Sequence, residues 1–411
     1  MKILISAYAC EPNRGSEPGV GWNVVREASK YNQVWVLTSN CHRSSIETEL
    51  KINKISNLNF IYLDPFGWKI DWSSKGKWTQ NLVHLHYYLW QIWAYFVSRS
   101  LHQEIGFDIV HHVTYVKYSS PSFLSLLPIP FIWGPVGGGE SAPKSFWKDF
   151  SLGDKIYESI RHLARSLGEI DPSVHITVKR STIIQTTTED TAKRLYKMGA
   201  KSVEISSESG LPEEDILSLS KYEISDDYPF RFISMGRLLH WKGFHLGLRA
   251  FAQANLINAE YWILGDGSQK KQLHALAQKL EIADRVKFWG RLPREQSLEK
   301  LRECHVLVHP SLHDSGGWVC MEAMAAARPV ICLDLGGPAV QVTDKTGFKI
   351  HAGTPEQAVL DIAKAMTCLA KDSELRLCMG KAGQKRVKEA FSWKSKGLKL
   401  SNLYQEIANI E

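Results

Sequence analysis

The chain has 411 residues, 44% of them hydrophobic and 23% charged, which excludes a disordered polypeptide, is too long for one ordinary domain and suits two of roughly 200 residues each. A formal charge of +7 suits anionic partners such as a sugar nucleotide, a lipid diphosphate or an acidic membrane surface, and reads equally well as an aid to solubility. Lys and Arg are scattered with no zinc or helical-arm motif, which argues against nucleic acid; the seven cysteines form no CxxC pair, so neither a zinc site nor a disulfide framework is expected, and a reducing cytoplasm is.

The opening MKILISAYAC has one Lys, a short apolar run and then polar residues, which reads as a first buried strand and not as a signal peptide. Strands are predicted at 2–7, 33–38, 59–63, 108–113, 130–133 and 182–186, and again at 231–235, 261–264, 286–288, 306–309, 329–333 and 347–350. Helices fit between them, with good 3.6-residue spacing at 265–283 and 293–304. The apolar window Leu82–Val97 contains two His and a Gln and spans about 16 residues, short of the ~20 that a membrane crossing needs. Alternating strands and helices imply α/β architecture with two doubly wound parallel sheets, two Rossmann-like domains facing across a cleft. Ser206–Pro229, rich in Ser, Glu and Pro, is the expected linker.

Ligands of such sheets bind beyond the carboxyl ends of the strands, so the loops there carry the functional reading. After the first strand, Cys10–Trp22 forms a glycine-bearing loop. Phe107–Tyr115 ends a strand with His111 and His112, one a candidate ligand contact; the competing reading is one satisfied core histidine and one spectator. In Trp133–Glu140 three consecutive glycines let backbone amides approach a ligand, and Glu140 suits an acceptor hydroxyl; a glycine hinge is the competing reading. Between them, Trp68, Trp72, Trp78, Trp90 and Trp93 mix with Lys69, Lys75 and Lys77, a pattern that suits a membrane interface, sugar stacking or an aromatic core.

In the second half, Gly236-Arg237-Leu238 and Trp241-Lys242-Gly243 follow a strand, so a planar guanidinium and a point charge can converge on one diphosphate. Leu264–Ser268 is a strand running into a glycine turn at Gly265, and Phe288–Leu292 is a turn able to read a base edge. Residues 309–325 hold Asp314, then Gly316-Gly317, then a helix from about Trp318 that carries Glu322. The open amides and positive dipole of that helix make a diphosphate site. Glu322, one turn inside, is expected to point sideways and accept both ribose hydroxyls, while Asp314 reaches the transferred sugar.

Two acids separated by seven residues, Asp314 and Glu322, followed by AlaMetAla and ArgProVal, resemble the retaining GT-B glycosyltransferases of family four, the group 1 glycosyl transferases. The likeness extends to PheSerTrp at 391–393 and a terminal helix. It implies domains at 1–210 and 211–390, with 391–411 crossing back to the first. Carried over by position, it implies Arg237 and Lys242 on the donor diphosphate with Gly236 and Gly265 beside them. Glu322 falls on the ribose, Arg291 and Leu292 beside the base, and Asp314 with Ser315, Gly316, Gly317, Trp318 and Val319 on the sugar. In the first domain it implies Gly15 and Ser16 at the donor phosphates, Glu17, Gly138, Gly139 and Glu140 at the acceptor, and His112, or else His111, against the donor sugar. Two departures stand out: Asp314 is a methylene shorter than the usual Glu, and Ala327 replaces a usual Gly.

The expected activity is transfer of a hexose, with glucose from UDP-glucose the first candidate, to a glycan or lipid-linked saccharide in envelope or exopolysaccharide synthesis. The configuration is retained, the catalytic set is Arg237, Lys242, Asp314 and a histidine, and no metal or cofactor beyond the sugar nucleotide is needed. The expected place is the cytoplasm, with peripheral contact through Trp68–Trp93 at the inner face of the membrane as an open alternative. A nucleotide-sugar epimerase or another GT-B enzyme such as a phosphorylase, and a non-catalytic sugar-nucleotide binder, are the competing readings.

Overall fold

A computed structural model describes residues 1–68, 77–221 and 229–409. Contacts divide the chain into two compact units: residues 1–139, 163–208 and 393–411 form the first, residues 140–162 and 209–392 the second.

The first unit holds a seven-stranded sheet of β1 (Lys2–Ser6), β2 (Gln33–Ser39), β3 (Leu58–Leu63), β4 (Ile109–His112), β5 (Phe131–Val136), β6 (Ile183–Thr186) and β7 (Val203–Ile205). Their order is β3-β2-β1-β4-β5-β6-β7, with each pairing parallel. The second holds β8 (Phe230–Met235), β9 (Ala259–Leu264), β10 (Val286–Gly290), β11 (Val306–His309), β12 (Val330–Leu333) and β13 (Gly347–Ile350), ordered β10-β9-β8-β11-β12-β13. These pairings are parallel too. The near-continuous apolar runs of the central strands suit sheets covered by helices on both faces. In each sheet the order reverses at its first strand, beside β4 and β11, which is where loops diverge and leave room for a ligand.

The predicted strands form within a few residues, and β7 is an addition. At three residues, directly before the expected linker, it offers too little periodicity to read. The predicted helix at 265–283 is confined to Lys270–Lys279, because Gly265 and Gly267 carry φ of 141° and 159° and form a turn. The linker region contains the helix Glu213–Ser220, whose Ile216 and Leu219 join the core of the second unit; residues 222–228 lie outside the described residues.

One allotment differs from the sequence reading. Residues 140–162 belong to the second unit, because Ala142, Phe146 and Phe150 pack into the cluster of Phe232, Phe251 and Ile263. The helix Trp393–Ala408 belongs to the first. The window Leu82–Val97 lies within the helix Lys77–Ile105, with Trp90 in the core and Trp93 exposed. No helix among the described residues is long and apolar enough to cross a membrane. Lys69, Trp72 and Lys75 lie outside the described residues.

Candidate active site

In the second unit the loops after β8, β9, β10 and β11 are laced together by backbone. The Gly236 amide donates to the Leu264 carbonyl at 3.0 Å, the Gly265 amide to Gly290 at 2.8 Å, and Leu238 to Asp266 at 2.9 Å. Gly265 must be glycine: at φ 141° a Cβ would lie 1.8 Å from the Gly236 carbonyl oxygen. The short helical turn His240–Lys242 ends at Gly243, φ 68°, where a Cβ would lie 1.9 Å from the Pro310 oxygen. That close approach, with the Leu312 amide on the Trp241 carbonyl at 2.7 Å, seats the Lys242 turn on the loop after β11.

The consequence is an ion pair between Lys242 Nζ and Asp314 Oδ2. His309 Nε2 donates to the same oxygen at 3.1 Å. Burial opposes ionisation of Asp314, but the His309 bond and the Lys242 charge outweigh it and hold the carboxyl well below its usual range. The loop beyond is fixed from below. The Gly337 amide donates to the Asp314 carbonyl at 2.7 Å, while Gln341 Nε2 and Ser209 Oγ both donate to the Gly316 carbonyl. The helix Trp318–Ala325 then starts from Gly317 at φ 57° with no side-chain cap, which leaves its first amides for an anion. Leu292, Trp318 and Val319 are half-buried against the apolar cluster beneath. Arg237 and Arg291 are exposed.

Glu322, 8% exposed, receives Arg294 at 3.0 Å, and the same guanidinium nitrogen reaches Asp215 at 3.0 Å. Burial raises the Glu322 carboxyl, with Arg294 opposing.

The first unit has its own concavity at the strand ends. A cavity of about 490 Å³ is lined by Glu11, Arg14, Ser16, Glu17, Tyr115 and Lys117, among others. Ser16 and Tyr115 both have left-handed φ, 61° and 62°, and strained non-glycine backbone of this kind clusters at functional sites. Glu17 accepts the Tyr115 amide at 2.6 Å; burial raises its carboxyl, against that bond and the Lys117 charge. Among the described residues no group of three or more His, Cys, Asp or Glu is placed to hold a metal ion.

Residues 219–386, which carry the β8–β13 sheet and its loops, match the family described as glycosyl transferases group 1. That likeness lies in the second unit. Similar sequences include the lipopolysaccharide core biosynthesis glycosyltransferase LpsE of Rhizobium meliloti (strain 1021), 31% identical over 161 residues, 39% of this chain and 45% of that protein. A D-inositol 3-phosphate glycosyltransferase of Streptomyces avermitilis is 34% identical over 142 residues, 34% of this chain and 30% of that one. The chain thus spans less than half the length of either relative. Among solved structures, sucrose-phosphate synthase from Thermosynechococcus elongatus superposes with a TM-score of 0.61 at 16% identity, covering 100% of both chains. Anabaena HepE, solved with UDP and glucose, gives 0.57 at 16% identity, covering 99% of this chain and 100% of that one. These likenesses show the GT-B fold of two Rossmann-like domains.

The second unit brings Lys242, Asp314, Ser315, Gly316, Gly317 and the start of the Trp318 helix to one sheet edge, with Gly236, Arg237 and Gly265 on the adjoining turns. Three expectations change. Glu322 does not stand free for two ribose hydroxyls, since Arg294 holds one of its oxygens; sequence reasoning missed Arg294, the cation that the burial of this carboxylate in the fold calls for. His111 and His112, each 1% exposed, are core residues. His111 Nε2 donates to the Gly134 carbonyl at 2.8 Å and Nδ1 meets the Tyr404 hydroxyl at 2.7 Å. His112 Nδ1 meets Ser122 Oγ at 2.8 Å, and Nε2 meets the Thr114 carbonyl at 3.1 Å and the Tyr87 hydroxyl at 3.0 Å. Neither ring offers a nitrogen to a sugar: both are satisfied core residues, which replaces the catalytic reading and leaves neither as a spectator. Around the glycine run, Arg194 Nε donates to the Gly139 carbonyl at 3.0 Å, Thr191 Oγ1 takes the Gly139 amide at 3.1 Å, and Glu140 is 3% exposed. Gly139 and Glu140 are held by protein and not displayed to an acceptor.

Proposed function

We propose that this chain is a retaining, nucleotide-sugar-dependent hexosyltransferase whose donor diphosphate lies between Arg237, Lys242 and the first amides of the Trp318 helix. The observation that carries the reading is the seating of the Lys242 turn on the Asp314 loop, which sets a cation, a carboxylate and an uncapped helix N-terminus side by side. Cations and amides are suited to the charge that grows on a departing diphosphate, and are worth most where they are fixed beforehand. The C–O bond from the sugar to the diphosphate breaks, the acceptor oxygen attacks the same face, and its proton passes to the leaving phosphate oxygen. Asp314, kept ionised, holds a sugar hydroxyl away from the reacting carbon, so no covalent intermediate is invoked. Since protein cations offset the leaving-group charge, the reaction is proposed to run without a metal ion.

UDP-glucose is the first donor to test. The acceptor, a glycan or a lipid-linked saccharide, is assigned to the first-unit cavity, where Glu17 and its neighbours offer both signs of charge. Peripheral contact with the inner face of a cytoplasmic membrane is part of the proposal: Phe66, Leu85, Tyr88, Ile92, Trp93 and Phe96 are all exposed on or beside the helix Lys77–Ile105, and an aromatic, apolar face of this kind suits the lipid interface.

The test is a panel of UDP-, GDP- and ADP-hexoses scored by thermal stabilisation, then by hydrolysis and transfer in the presence of EDTA, with the product anomer read by NMR. Arg237→Ala and Lys242→Ala are each expected to lower kcat/KM by about 10²–10³-fold with unchanged circular dichroism. Near-normal turnover in both variants refutes the diphosphate assignment, and an inverted product refutes same-face attack.

A further inference from the structure

Lys242 and Asp314 sit on different loops, and both loops rest on one buried carboxylate from residues 140–162. Glu158, its side chain 2% exposed, accepts His240 Nε2 and His313 Nε2 on the same oxygen, each at 3.0 Å. His240 lies two residues before Lys242, and His313 directly precedes Asp314. The other nitrogen of His240 meets Asp154 Oδ1 at 3.0 Å, and Arg161 lies 3.6 Å from the second Glu158 oxygen. Between the two histidine bonds, Trp241 stacks with Tyr157 on one side (5.4 Å between centroids, 7° between planes) and with His313 on another (5.1 Å, 16°). Burial disfavours a charged Glu158, yet the two histidine bonds and Arg161 hold it well below the usual carboxylate range.

A buried ionic cluster is a poor route to stability, because apolar side chains filling the same volume do as well or better without the desolvation cost. What it supplies is direction: one acceptor atom fixes two N–H vectors, and with them the separation of the two loops. We propose that Glu158, with His240 and His313, is a positioning residue that sets the spacing and orientation of Lys242 relative to Asp314. The inference rests on the proposed donor site and deepens it.

Glu158→Gln keeps an oxygen able to accept both N–H groups; Glu158→Leu keeps the bulk and removes the acceptor. With the nucleotide sugar that the wild-type chain turns over, Glu158→Leu is expected to lower kcat about 10²-fold, since misplacement by about 1 Å has that effect, while UDP affinity by calorimetry changes less than tenfold. Glu158→Gln is expected to keep kcat within about fivefold of wild type. Phe146→Leu, in the same segment and fully buried, serves as the stability control and should lose thermal midpoint without a comparable loss of kcat. The inference fails if folded Glu158→Leu turns over within twofold of wild type. It fails equally if Glu158→Gln is as inactive as Glu158→Leu, or if Phe146→Leu loses kcat in proportion to its midpoint. Failure of the donor site itself shows separately, as undiminished activity in Lys242→Ala.

Discussion

At the scale of single residues, the acids of the site are governed by what pairs with them. Asp314 is pulled down by His309 and Lys242 and stays ionised, whereas Glu322 is pushed up by burial and only Arg294 opposes the shift. In the proposed donor site a ribose held by Glu322 needs the carboxylate, so Arg294 is expected to tune nucleotide affinity through its contact with Glu322. In Arg294→Ala the remaining influences, burial and Asp215, both raise the Glu322 carboxyl. Its charged form is then lost at higher pH than in the wild type. Nucleotide affinity in this variant is expected to be several-fold weaker at pH 6 than at pH 8.5, against a flatter wild-type profile, while Glu322→Gln binds weakly at both. Calorimetry with UDP across that range checks it, and a flat profile in Arg294→Ala would remove Glu322 from the ribose. The acids themselves were legible from their spacing around Gly316-Gly317. Arg294 was not, because a cation one helix away in sequence announces nothing until the fold brings it to the carboxylate.

At the scale of elements, the site is a set of strand-to-helix turns that need backbone to touch backbone. The sequence shows these turns as glycines after apolar runs, and that signal was sufficient to place them; it could not say which glycines are irreplaceable. Gly265 and Gly290 both have positive φ, yet a Cβ on Gly265 meets the Gly236 oxygen at 1.8 Å whereas one on Gly290 meets nothing within 4 Å. Gly290→Ala is therefore expected to cost only the left-handed penalty of about 1–2 kcal/mol. Gly265→Ala must also part the turns after β8 and β9, displacing Arg237, and is expected to lose several-fold more donor affinity than Gly290→Ala at matched temperature below both midpoints. Equal affinities in the two variants would mean that the backbone contact between these turns has no bearing on the donor. The histidines at the end of β4 illustrate the opposite limit of sequence reading. A polar residue at a strand terminus looks the same whether it faces a ligand or a buried hydroxyl, and here Ser122, Tyr404 and two carbonyls decide it.

At the scale of the whole molecule, two parallel sheets were legible because their strands are apolar runs separated by helices, and the segment that resembles the group 1 glycosyl transferases holds one of them. The division of the chain was less so: Phe146 and Phe150 commit residues 140–162 to the second unit by packing, and a phenylalanine carries no mark of which core it will enter. Buried histidines in both units also set how the molecule responds to acid. Burial holds His111 at about 4, His112 at about 3 and, with nearby arginines, His305 at about 4, all below the ordinary 6.5. Between 6.5 and those values the unfolded chain binds more protons than the folded one, so stability rises with pH through this window and is lost as pH falls. Glu17 and Glu322, raised by burial, act in the opposite sense above their unfolded values, which makes a differential measurement the decisive one. His112→Gln removes one titrating ring from the first-unit core. The wild-type thermal midpoint is expected to fall between pH 7 and pH 5, and that of His112→Gln to start lower at pH 7 but fall less steeply. Parallel slopes for the two proteins would show that His112 is not held neutral by its burial.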